Sequence, residues 1–266
     1  MQKTVFLFLI ILACLATDMA RAESPYEKII PADYAVYGVS LIAGAGSLYL
    51  GARMNSLSET QISRLDRTDV NRFDRGATFN YSKTAATISD WGMHACLILP
   101  GTLILDGRMR EDAATIALLY FETMALAGAT TELAKTSFRR IRPYAYNPDV
   151  PIESKKTLDT RKSFFSGHTS TSFASALFFA KVFGDYYPDS RWKPWVWAGA
   201  ISVASTVACS RVAAGKHFPT DVLAGALIGS LAGYLVPKMH EKRGAKAAFH
   251  IESQSLPMGF SFRVTW

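Results

Sequence analysis

Charge is unevenly spread along this chain. Six stretches are almost free of it: 34–52, 91–105, 113–131, 163–180, 194–210 and 222–237. Each is too long for an ordinary strand and long enough for several helical turns. Pro100 breaks the second stretch, and Glu122 interrupts the third. The pattern predicts an all-α fold, a six-helix bundle. In an up-and-down bundle the connections after helices one, three and five lie at one end. Between the first two stretches, residues 54–90 mix signs closely, as in Arg64, Asp66, Arg67 and Asp69; this predicts a solvated connection. The tail is different. Phe260, Phe262, Val264 and Trp266 recur at period two after Leu256-Pro257-Met258-Gly259, which predicts a small terminal β-hairpin.

The chemistry-bearing residues fall at the helix ends that share one end of the bundle. Lys135 lies where helix three runs out, and Arg142-Pro143 follows it. Ser166-Gly167-His168 opens helix four, so backbone N–H groups at a helix N-terminus are offered to an anion. Arg211 closes helix five, and His217 lies in the turn before helix six. Pro219 marks the start of helix six, where its missing N–H costs nothing. Asp221 stands four residues after His217, on the same face. It is expected to hold one ring nitrogen and leave the other free to attack, as an activated nucleophile needs. Three cations with forked or point charge suit the oxygens of a phosphate. Taken singly, each residue also reads as a helix cap or a solvated charge. Arg139, Arg140, Lys155, Lys156, Arg161 and Lys162 read as solvated.

The spacings Lys135-x6-Arg142-Pro143, Ser166-Gly167-His168 and Ser210-Arg211-x5-His217-x3-Asp221 resemble the three motifs of the type 2 phosphatidic acid phosphatase superfamily. That superfamily holds lipid phosphate phosphatases, bacterial class A acid phosphatases and vanadate-dependent haloperoxidases. The resemblance covers roughly residues 132–221 and departs once, with Phe165 where proline is usual. It implies a phosphomonoesterase or pyrophosphatase acting through a phosphohistidine at His217. Asp221 would orient that ring, and His168 would protonate the leaving oxygen. Lys135, Arg142, Ser166, Gly167 and Arg211 would bind the phosphate. No metal or cofactor is implied, and no metal-ligand spacing is visible.

Composition narrows the setting. The chain has 266 residues, 49% of them hydrophobic, with a net charge of +7 and a mean hydropathy of +0.11. Lys3, the apolar run 5–16 and Ala20-Arg21-Ala22 read as a signal peptide over 1–22. Residues 23–247 then form the helical phosphatase domain and 248–266 the tail. Cys14 would leave with the signal; Cys96 and Cys209, inside apolar runs, read as small buried hydrophobes. Export places the site on the periplasmic face, at the inner membrane, with a soluble periplasmic enzyme as the alternative. The expected partner is a phosphorylated lipid at a membrane, and no nucleic acid. A broad-specificity acid phosphatase and a vanadate haloperoxidase stay as alternative functions.

Overall fold

The computed structural model describes residues 24–242, 254–256 and 259–261. Among them the chain forms nine α-helices: α1 (Pro31–Gly51), α2 (Glu59–Ser63), α3 (Lys83–Ile98), α4 (Gly107–Glu111), α5 (Ala113–Phe138), α6 (Ile152–Lys155), α7 (Gly167–Tyr186), α8 (Lys193–Ala213) and α9 (Pro219–His240). The expected count of six is thus corrected to nine. Helices α2, α4 and α6 are only four or five residues long, and a single turn leaves no periodic apolar signal in a sequence. The signal segment 1–22 lies outside the described residues. In the tail, β1 (Gln254–Leu256) and β2 (Gly259–Ser261) pair antiparallel, a ladder too short to test the alternation expected there.

Of the two interruptions in the apolar pattern, the first turns its α-helix into a 3₁₀ stretch and the second leaves its helix unbroken. After Ile98 the rod continues as a 3₁₀ stretch, Leu99–Leu105, with Pro100 in its first turn, where the lost N–H is tolerated. Glu122 is buried inside the 26-residue α5. Residues 54–90 are not merely a solvated connection. They include α2, the start of α3 and Asp74, which is fully buried. Cys96 is buried, but Cys209 is exposed, and both are free thiols.

Helix α7 is the central element, packed on α3, α5, α8 and α9. In its first half the buried residues are small and often polar: Thr169, Ser170, Ser172, Ala174, Ser175 and Ala176; in its second half Phe178 and Val182 join an apolar core with Ile116, Leu119 and Val236. Hydroxyls pair across the interior, Thr131 Oγ1 with Ser170 Oγ at 2.9 Å and Tyr120 OH with Ser175 Oγ at 2.8 Å. The small side chains let backbones approach. A Cβ placed on Gly225, Gly229 or Gly233 of α9 would come within 2.7, 2.2 and 2.3 Å of the carbonyls of Ser166, Ser170 and Ala174. One stripe of glycines therefore lays α9 against α7, and the N-termini of the two helices sit together.

The outside carries large apolar side chains as well. Leu41 and Ile42 on α1, Trp91 on α3, Trp195 on α8 and Leu223 on α9 are all 60% exposed or more. Large apolar side chains facing out, with small residues at the helix–helix seam, is the distribution that a lipid surround favours. Among the described residues, five segments are long and apolar enough to cross a membrane: Pro31–Gly51, Lys83–Leu105, Ala113–Tyr146, Lys193–Ala213 and Pro219–His240.

Candidate active site

The motif residues converge where α5 and α8 end and α7 and α9 begin. Main-chain bonds tie the segments together. Ser166 N donates to the carbonyl of Asp221 at 3.0 Å, and Tyr144 N donates to that of Gly215 at 2.9 Å. Gly215 has φ +67°, and a Cβ there would lie 2.0 Å from the carbonyl oxygen of Asn80. Only glycine allows the α8–α9 turn to pass so close.

His217 is buried in that turn. Its Nδ1 lies 2.7 Å from the carbonyl oxygen of Ser163. A carbonyl only accepts, so Nδ1 carries the hydrogen and Nε2 keeps its lone pair. Nε2 in turn faces Arg142 Nη1 at 3.1 Å. Burial, then the charges of Arg142, Arg211 and Lys135, hold the ring well below the ordinary imidazole pKa. The expected partner, Asp221, stands 3.7 Å from Nδ1. Its carboxylate is taken by Arg140 Nη1 at 2.5 Å, Ser163 Oγ at 2.5 Å and Phe218 N at 2.9 Å. The ring is therefore held by Ser163, and Asp221 acts on it through that residue and the main chain.

His168 lies in the first turn of α7. Its Nε2 lies 2.8 Å from Asp90 Oδ1 on α3, and the same oxygen is 3.3 Å from Arg211 Nη1. Arg211 Nη1 also donates to Ser89 Oγ at 3.1 Å. Burial and Arg211 push the His168 imidazole down to about 4, against the pull of Asp90.

Lys135 pairs with Glu132 at 2.7 Å, and its ammonium lies over Gly167. A Cβ on Gly167 would be 2.8 Å from Nζ, so the glycine lets the cation reach the N-terminus of α7. Ser166 is the N-cap of that helix. Its Oγ accepts from Thr169 Oγ1 at 2.9 Å and from Thr169 N at 3.4 Å. Arg142 is buried and spread over three acceptors: Asp159 O at 2.9 Å, Asp159 Oδ1 at 2.8 Å and Lys216 O at 2.9 Å. An unprotonated imidazole nitrogen, three cations and helix N-terminal amides thus face one small region, an arrangement able to hold an anion against a nucleophile.

A profile of the PAP2 superfamily matches residues 116–245, a range that holds every motif residue named above. The chain thus carries a PAP2 superfamily segment over just under half of its length. The chain is similar to a lipid A 1-phosphatase of Porphyromonas gingivalis, 36% identical over 112 residues, covering 42% of this chain and 21% of that protein. It is also similar to a lipid A 4'-phosphatase of the same organism, 33% identical over 110 residues, covering 40% of this chain and 42% of that one. A probable diacylglycerol pyrophosphate phosphatase 1 of Schizosaccharomyces pombe is 38% identical over 172 residues, covering 53% of this chain and 60% of that protein. The chain spans a fifth to three fifths of the length of these curated relatives.

Around the PAP2 motifs stand residues that the sequence reading missed. Asp90 and Asp159 hold His168 and Arg142 from positions 78 and 17 residues away. Arg140, expected to be solvated, bridges two fully buried carboxylates, Asp74 at 2.7 Å and Asp221 at 2.5 Å. Lys155 is buried too and donates to Asn147 O at 2.6 Å. The one local signal was the density of arginine and aspartate in 64–75, whose alternation equally suits a solvated helix.

Proposed function

We propose that this chain is a phosphatase of phosphorylated lipids, cleaving a phosphomonoester or pyrophosphate at a membrane surface. The observation that carries the reading is the state of His217: a buried ring whose Nδ1 hydrogen goes to Ser163 O and whose unprotonated Nε2 accepts from Arg142 Nη1, a donor that a bound phosphate would take over. The phosphate oxygens would rest on Lys135, Arg142, Arg211 and the amides of Gly167 and His168. Nε2 of His217 attacks phosphorus in line, forming a P–N bond as the P–O bond to the alcohol breaks. His168 gives its proton to the departing oxygen. Water then attacks the phosphohistidine, His168 takes the water's proton, and orthophosphate leaves. The dianion's charge opposes Arg211 and lifts His168 into its acid form, while Asp90 holds the ring.

An apolar tail is supported by a groove of about 530 Å³ beside this site, lined by Phe173, Ala208, Val212, Pro219, Val222 and Leu223. The relatives' substrates, where their names state them, are lipids. The exposed apolar helices support a membrane setting over the soluble acid phosphatase, and no residue named in the site favours halide chemistry. The segment 1–22 as an export signal, and with it the periplasmic face, belongs to the same proposal.

The test separates the two histidines. General acid catalysis contributes roughly 10²–10⁴-fold when the leaving group needs a proton. His168→Ala should lose that much on an alkyl phosphate and far less on p-nitrophenyl phosphate. His217→Ala should abolish turnover of both, and radiolabelled phosphate should be trapped on the wild-type chain at His217. Activity of His217→Ala within tenfold of wild type, or label at His168, would reverse the roles.

A further inference from the structure

A second set of side chains meets far from the phosphate site. Asp33 near the start of α1, Glu122 in α5 and His240 at the end of α9 are 5%, 2% and 1% exposed. One potential ligand atom from each lies within 4.8 Å of the others. His240 is 19 residues beyond Asp221 on the same helix, about 28 Å along its axis. The cluster therefore occupies the other end of the helical body.

The hydrogens can be placed. His240 Nδ1 lies 2.9 Å from the carbonyl oxygen of Val236, so Nδ1 carries the hydrogen. Nε2 then faces Asp33 Oδ1 at 2.9 Å and Glu122 Oε2 at 3.7 Å. Asp33 Oδ1 receives no aligned N–H, and Glu122 Oε1 has no hydrogen-bond partner at all. Asp33 Oδ2, by contrast, is used: it accepts from Ile30 N at 2.9 Å. Two buried carboxylates without full hydrogen bonding are costly. An imidazolium at His240 would neutralise only one of them. Lys28 lines the same cavity.

We propose that Asp33, Glu122 and His240 form a structural site for a divalent metal ion of the zinc type. One imidazole nitrogen and two carboxylate oxygens are a ligand set that zinc accepts. Zinc bonds of about 2.0–2.2 Å in a tetrahedron set ligand atoms about 3.3 Å apart, and 2.9 and 3.7 Å lie on either side of that. The adjoining cavity of about 190 Å³ has room for a water as the fourth ligand. The ion neutralises both carboxylates while His240 stays neutral, and it clamps α1, α5 and α9 together. None of the phosphate-binding residues takes part, so this site stands or falls separately from the phosphatase reading.

The test uses the full chain without a histidine tag, purified in detergent, stripped with EDTA and dialysed against Zn²⁺. Elemental analysis should find one equivalent of zinc per wild-type chain, with a higher midpoint of thermal unfolding than the stripped protein. Glu122→Gln and His240→Gln should retain only background metal and show no zinc-dependent rise. His217→Ala should bind zinc like wild type. Should the cluster variants fail to fold, Co²⁺ added to stripped wild type gives the second reading, through the visible absorption of a tetrahedral nitrogen–oxygen site. No zinc in the reloaded wild type, a full equivalent in the variants, or a Co²⁺ spectrum no different from free aqueous ion would overturn the site and leave a protonated imidazole–carboxylate cluster.

Discussion

His217 and His168 sit in one basic pocket yet are held in different ways. The first is fully enclosed, with its hydrogen committed to Ser163. The second is partly open and leans on Asp90. His168 at about 4 is neutral at pH 7 in the empty site, and a bound dianion must raise that value. Binding should therefore take up a proton near neutral pH. Calorimetry with tungstate, a dianion at pH 7, in buffers of different ionisation enthalpy measures this. The expected uptake approaches one proton for wild type and is absent in His168→Gln; zero uptake in wild type would remove His168 from the acid role. The eight residues of the three motifs were legible because each lies at a helix end in a local spacing. Asp90, Asp159, Asp74 and Arg140 were not, because their partners lie from 17 to 146 residues away. A carboxylate in a polar stretch looks the same whether it faces water or a buried arginine.

At the scale of elements, the seam between α7 and α9 decides where the site is. Four-residue spacing of Gly225, Gly229 and Gly233 was visible as composition, but their closeness to α7 carbonyls is a packing fact. Gly229→Ala puts a Cβ 2.2 Å from Ser170 O, against backbone that cannot swing away. Overpacking of this kind typically costs about 1–3 kcal/mol, more than the roughly 1 kcal/mol that alanine contributes to helix propensity. Gly38 in α1 has nothing within 4 Å of its would-be Cβ, so Gly38→Ala should keep the propensity gain. Thermal unfolding in detergent should show the first variant less stable and the second more so. Gly229→Ala should also lose activity, since Ser166 to His168 move with α7. The long helices could be read from the apolar pattern because burial and membrane exposure both favour uncharged runs. The short α2, α4 and α6 could not, since one turn contains too few positions to show a period.

At the scale of the molecule, the distribution of surface argues for lipid around the helices. Membranes from an expressing cell, washed with carbonate, should retain the chain in the pellet and release it only with detergent. Release by carbonate alone would mean that the apolar faces are covered by protein. The sequence left this open because charge-free runs of 15–19 residues are marginal for a span of about 20. The helices themselves, 21–26 residues for α1, α5, α8 and α9, extend past those runs into capped and charged ends. Helix α9 has a further consequence. Its 22 residues reach about 33 Å, close to the roughly 30 Å of a hydrocarbon core, and its N-terminus lies at the proposed reactive centre. That centre would meet its substrate in the plane of the headgroups, where the relevant density is molecules per unit area. Diluting a lipid phosphate with inert detergent, at fixed bulk concentration, should slow turnover in proportion to its mole fraction in the micelle. A short-chain soluble phosphate should be indifferent to the same dilution.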